Sequence, residues 1–181
     1  MNRLLITAFA IAAIFMAARL TSAQEEKSEL EGKPAPDVVL KTLDGKDFKL
    51  SALKGDVVVL DFWATWCPPC RKSLPHLQAL NDDKARAEKG LKVFAVNARE
   101  KKDVVEKYMK DNTLSFTVPM DAAGDSLKAY QVQGIPTTVV VGRDGNVKKV
   151  FVGFGGEASE KALDAAIDEA LKAEKPKAAV N

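Results

Sequence analysis

The chain has 181 residues, 46% of them apolar, and a formal net charge of +2. That length suits about one domain. Acids and bases are interspersed with no basic block, so nothing in the charge pattern asks for nucleic acid as a partner.

Arg3 and the free amino terminus give a positive start, and Leu4 to Ala18 is apolar except for Thr7. Thr21-Ser22-Ala23 then offers small residues to a signal peptidase. This order predicts a secretory signal peptide over residues 1–23 and a periplasmic or secreted location. An uncleaved membrane anchor is the alternative, but the apolar run falls short of the roughly 20 residues a spanning helix needs, and Arg19 ends it. No cysteine stands near the cleavage site to carry a lipid. Cleavage would remove Arg3 and Arg19 and no acid, leaving 25 bases against 25 acids.

Residues 24–33 are polar and charged and read as a flexible lead to a domain over 34–173. Val38-Val39-Leu40 and Phe48-Lys49-Leu50 flank Asp44-Gly45 and predict a β-hairpin. Val57 to Leu60 is continuously apolar and β-branched, as in a strand covered on both faces. A helix is expected from Pro68 to about Glu88, with Leu74, Leu77 and Leu80 on one side and a kink at Pro75, which cannot donate to the carbonyl of Arg71.

Leu91 to Val96 reads as the next strand. Lys101 to Lys110 reads as a helix with Val104, Val105 and Tyr108 turned inward. A short strand is expected over Phe116 to Met120 and a short helix over Asp125 to Tyr130. Thr137 to Val141 and Val147 to Val152 form a second hairpin around Arg143-Asp144-Gly145-Asn146. Glu157 to Ala173 is amphipathic through Leu163, Ile167, Ala170 and Leu171. Residues 174–181 are expected to be a disordered tail. Strands alternating with helices predict a three-layer α/β/α sandwich with an N-terminal hairpin.

Both cysteines lie in the stretch Asp61-Phe-Trp-Ala-Thr-Trp-Cys-Pro-Pro-Cys70. Export would place them in an oxidising space, where a structural disulfide is the default. Such a bond gains most by closing a long loop, and this one closes almost none. Zinc needs four ligands, and the chain offers one Cys pair and a single histidine, His76. Haem attachment needs His directly after the second cysteine, where Arg71 stands. No metal is therefore expected.

Thiol–disulfide exchange fits better. Cys67 follows a buried strand and begins a helix, where free amides and the helix dipole favour a thiolate. Pro68 and Pro69 are tolerated in the first turn and leave the Cys70 amide free to point at the Cys67 sulfur. Cys70 sits one turn inside, placed to resolve a mixed disulfide.

The strand–Trp-Cys-x-x-Cys–helix pattern, with Gly134-Ile135-Pro136-Thr137 downstream, resembles the thioredoxin-like proteins. The resemblance covers about Gly32 to Leu171. It implies a cis-proline at Pro136 packed beside the dithiol, and an Ile135 backbone that pairs with an incoming peptide. Trp66, Ile135 and Pro136 would shape the substrate groove. The N-terminal hairpin, Val96-Asn97-Ala98-Arg99-Glu100 and the central insert from Glu100 to Tyr130 look like the TlpA/ResA branch, exported bacterial thiol–disulfide oxidoreductases often tied to cytochrome c maturation. That branch implies protein disulfides as substrates and a membrane thiol as electron donor. It implies no cofactor beyond the redox-active disulfide, and a monomer is expected.

Asp61 closes the apolar strand, so its carboxylate should be buried and its pKa raised. It matches the buried Asp of ordinary thioredoxins, which relays the proton of the second thiol. Glu100 matches an alternative relay of the exported branch, with a plain helix-first-turn acid as the simpler reading. His76 is expected on the helix surface, and Trp63 and Trp66 are expected to pack over the dithiol. Two other classes fit parts of the pattern. Peroxiredoxins share the Gly-Lys-x-Ala-Pro opening, but they carry Pro and Thr where Leu60 and Ala64 stand here. A metallochaperone could hold a soft ion such as Cu(I) through Cys67 and Cys70.

Overall fold

A computed structural model describes residues 28–175. The expected signal peptide, and the expected tail beyond Lys175, lie outside the described residues. In chain order the elements are β1 (Val39–Thr42), β2 (Asp47–Lys49), a 3-10 turn (Leu50–Leu53), β3 (Val57–Trp63) and α1 (Pro68–Asp82). Then follow α2 (Lys84–Glu88), β4 (Leu91–Ala98), α3 (Lys102–Asp111), β5 (Pro119–Asp121) and α4 (Asp125–Ala129). The chain finishes with β6 (Thr137–Val141), β7 (Val147–Val152) and α5 (Glu157–Lys172).

The strands form one mixed sheet in the order β2-β1-β5-β4-β3-β6-β7. At its centre β3 runs parallel to β4 and antiparallel to β6. Every residue of β3 is buried, Asp61 included, as expected of a strand covered on both faces. Its side chains alternate between two cores. Val57, Val59 and Trp63 join α1, α3 and α5 on one face. Val58, Leu60 and Phe62 face Leu30, Val38, Phe48 and Tyr130 on the other. The two outer layers are unequal, since the second face is closed mostly by the amino-terminal segment, the hairpin and the residues around α4. Asp61 falls between Val59 and Trp63 by the same alternation, so it points into the α1/α5 layer.

Three expectations need correction. The lead is docked from Ser28 onward. Leu30 is buried, the Gly32 amide donates to the Val147 carbonyl at 2.8 Å and the Val147 amide to the Lys33 carbonyl at 2.9 Å. The segment thereby covers part of β7, the edge strand of the sheet, whose backbone groups would otherwise be open to pairing. The long helix is two helices. Asp83 leaves helical geometry at φ −71° and ψ 94°, and its carboxylate caps α2 through the Arg86 amide. In α3, Val105 and Met109 face the core while Val104 is 45% exposed.

Among the described residues no helix is long and apolar enough to cross a membrane.

Candidate active site

Cys67 is the N-cap of α1, with extended backbone geometry, and Pro68 and Pro69 fill the first two helical positions. The first available amide is that of Cys70, and it donates to Cys67 Sγ at 3.2 Å. The two sulfurs are joined in a disulfide. Cys70 is fully buried and Cys67 retains 2% exposure. The Ile135–Pro136 peptide is cis, as the resemblance implied. It brings the Ile135 carbonyl oxygen to 3.6 Å from Cys67 Sγ.

The two tryptophans divide. Trp63 is fully buried, donates from Nε1 to the Ala95 carbonyl at 3.2 Å and packs against Tyr108 with ring centroids 5.6 Å apart. Trp66 is 66% exposed. It offers a flat apolar surface immediately before Cys67.

Asp61 is 2% exposed. Its cross-strand neighbour on β6 is Thr138, whose hydroxyl donates to Oδ1 at 2.6 Å. Oδ2 is buried and without a hydrogen-bond partner. Burial pushes the carboxyl up to about 6, against the weaker opposing pull of the Thr138 bond. An acid of that strength can both hold and release a proton near neutral pH.

Glu100 holds a turn beside the cysteine site. Arg99 just before it has φ 59°, in the left-handed region, and so turns the chain at the end of β4. Glu100 Oε2 accepts from the Thr65 amide at 2.7 Å and from Asn97 Nδ2 at 2.8 Å. Oε1 accepts from the Thr65 hydroxyl at 2.5 Å. Both oxygens are therefore engaged in fixing the turn that leads to Trp66 and Cys67. Glu100→Ala should lower stability by about 1–3 kcal/mol by stripping the Thr65 amide of a charge-assisted partner. Urea unfolding of the oxidised protein checks this, and an unchanged midpoint would mean the clamp contributes nothing.

Sequence reasoning missed Thr65, Asn97 and Thr138 as the partners that hold the two acids. It also placed His76 on the surface, whereas the ring is half-buried and lines a cavity shared with Asp61. For Thr138 a signal did exist. It is a polar residue in a buried strand two positions after the predicted cis-proline, on the same alternation as Val140.

The sequence pattern of the Redoxin family matches residues 30–167. The chain belongs to the redoxin family. It is 40% identical over 128 residues to the thiol-disulfide oxidoreductase ResA of Bacillus subtilis, a match covering 71% of this chain and 70% of that protein. A second ResA, from Bacillus thuringiensis, is 37% identical and the match covers 78% of each chain. Among solved structures, a thiol:disulfide interchange protein of the thioredoxin family from Chlorobium tepidum superposes with a TM-score of 0.67 at 31% identity. That superposition covers 80% of this chain and 99% of the other. StoA of Bacillus subtilis superposes with a TM-score of 0.61 at 30% identity, covering 73% and 96%. With its paired cysteines at a helix start, this redoxin is a thioredoxin-like thiol–disulfide oxidoreductase.

Proposed function

We propose that this redoxin is an exported reductase of protein disulfides. The observation that carries the reading is the donor count at Cys67. A strongly oxidising enzyme of this chemistry is one whose reduced form is heavily stabilised. Here two prolines occupy the first two helical positions, and one amide, that of Cys70, reaches the sulfur. The residue before the cis-proline, Ile135, brings only its carbonyl oxygen to Cys67. A thiolate held by so few donors is moderately stabilised, which leaves the dithiol willing to give up electrons.

In the proposed cycle the Cys67 thiolate attacks a substrate disulfide and one substrate sulfur leaves as a thiolate. The Cys70 thiol passes its proton to the Asp61 carboxylate and attacks Cys67 Sγ. The Cys67–Cys70 bond forms and the second substrate sulfur departs. Trp66, Ile135 and Pro136 form the surface on which the substrate lies. Glu100 keeps the Thr65 turn in place through the three hydrogen bonds its oxygens accept, and the relay is assigned to Asp61, which has one oxygen without a partner. Two electrons leave the protein in each cycle, so a thiol donor must return them. In an exported protein that donor is a membrane thiol protein. The branch resemblance implies proteins awaiting haem attachment as the substrate class.

The test is to equilibrate the purified protein with glutathione buffers and measure its potential. A value toward the thioredoxin end, about −270 mV, is expected. One near about −120 mV, the strongly oxidising end, would overturn the direction.

A further inference from the structure

Two buried polar atoms among the described residues sit unsatisfied around one small cavity. The first is Asp61 Oδ2. The second is His76 Nε2, which lies 3.3 Å from Asp164 Oδ1 on α5 but is not aligned to hydrogen-bond with it. Both side chains line a cavity of about 30 Å³ between α1, β3, β6 and the start of α5. Ser73, Ser159 and Glu160 line it as well. A buried water needs about 10–15 Å³ by this measure and two to four polar partners. The cavity supplies both the room and the partners.

We propose that His76 is the outlet through which Asp61 exchanges its proton with solvent, by way of ordered water in this cavity. The inference rests on the reading of Asp61 as the relay for Cys70. When Cys70 has closed the disulfide, Asp61 is left as a neutral carboxylic acid. That proton has a way out through the cavity that Asp61 lines, on the side where Oδ2 has no protein partner. It passes to the water, from the water to the imidazole, and from the half-buried ring to solvent. When a dithiol donor re-reduces the disulfide, the same path brings a proton back to Cys70. His76 touches neither sulfur nor substrate; it acts through Asp61.

The titratable and charged groups around the path come from four elements. Asp61 comes from β3 and Cys70 and His76 from α1, while Glu160 and Asp164 come from α5. Arg86 of α2 donates to Asp164 Oδ1 at 3.2 Å and to both oxygens of Asp168. The guanidinium thus shares the Asp164 oxygen that faces His76.

The experiment reads the proton-exit step through repeated cycles: multiple-turnover reduction of a disulfide substrate by the purified protein with a dithiol donor in excess, followed across pH in weak and strong buffer. His76→Gln should slow the step about a hundredfold near neutral pH in weak buffer, the low end for loss of a proton-transfer group. Added imidazole should restore the rate of His76→Gln and leave the wild type unchanged. His76→Phe, which fills the space with carbon, should be slow as well and serves if the Gln variant does not fold. Asp61→Asn separates the two readings. If it is slow while both His76 variants match the wild type, the outlet is wrong and the relay stands. If Asp61→Asn also matches the wild type, the relay itself fails and the outlet falls with it. Slow His76→Gln that imidazole cannot rescue at any pH would mark a merely structural ring and overturn the proposal.

Discussion

Asp61→Asn should make the oxidised protein more stable near neutral pH, by about 3 kcal/mol. The carboxyl is raised to about 6 by burial. Between roughly pH 4 and 6 the folded protein therefore keeps a proton that the unfolded chain has already released. Where the folded state binds more protons, stability falls as pH rises. The loss is complete above the folded pKa, where the carboxylate is ionised and buried with Oδ2 unpartnered. A raise of about two units corresponds to about 3 kcal/mol. Asn has the same shape, can still accept from Thr138, and carries no charge to bury. The two proteins should have nearly equal stability at pH 4 and diverge up to about pH 7. Asp37, Asp44, Asp144 and Asp168 all have lowered pKa values, so their contributions change below pH 4 and leave this window to Asp61. Urea unfolding of both oxidised proteins from pH 4 to 8 measures the divergence, and parallel curves would refute the assignment. Such a gain in stability, joined to slower exchange in the same variant, would mark Asp61 as kept for its chemistry.

The legibility of this fold in its sequence follows the strength of each local signal. β3 was readable because four β-branched or long apolar residues in a row fit only a doubly covered strand, and the structure buries every one. The cysteine site was readable because Pro-Pro at a helix start has one sensible geometry. The end of α1 was not readable. Leu80, Asp83 and Arg86 keep a helical spacing across the break, and only the side-chain cap from Asp83 to the Arg86 amide ends one helix and begins the next. The docking of residues 28–33 was hidden for a related reason. A single leucine, Leu30, anchors an otherwise polar segment, and the backbone bonds to Val147 that hold it are indifferent to side-chain type. Asp61 and Glu100 were both singled out as acids of the site, but residue type alone could not tell them apart. The distinction lies in partners distant in sequence. Thr138 leaves one Asp61 oxygen free, whereas Thr65 and Asn97 occupy both oxygens of Glu100.

Cys67→Ser should bring exchange below detection, whereas Cys70→Ser should still attack substrate and then stop as a stable mixed disulfide. The asymmetry comes from the helix start. Cys67 is the N-cap, and its sulfur is the one atom placed to receive the first free amide of α1. A thiolate there is favoured by that hydrogen bond and by the helix dipole. Cys70 lies one turn in, fully buried, with no donor aimed at its sulfur among the bonds of the described residues. Serine is itself a preferred N-cap, so Cys67→Ser keeps the helix start intact and its inactivity cannot be laid to misfolding. The disulfide closes too short a loop for its removal to unfold either variant. Near neutral pH, iodoacetamide should therefore alkylate Cys67 in Cys70→Ser at least about tenfold faster than Cys70 in Cys67→Ser, following the thiolate fraction of each. Equal rates would remove the basis for calling Cys67 the attacking group. The trapped species carries the further information. A thiolate at Cys67 that has formed its mixed disulfide and lacks a neighbouring thiol holds its partner covalently. Mass spectrometry of that adduct from cells would then identify the protein with which this enzyme exchanges disulfides.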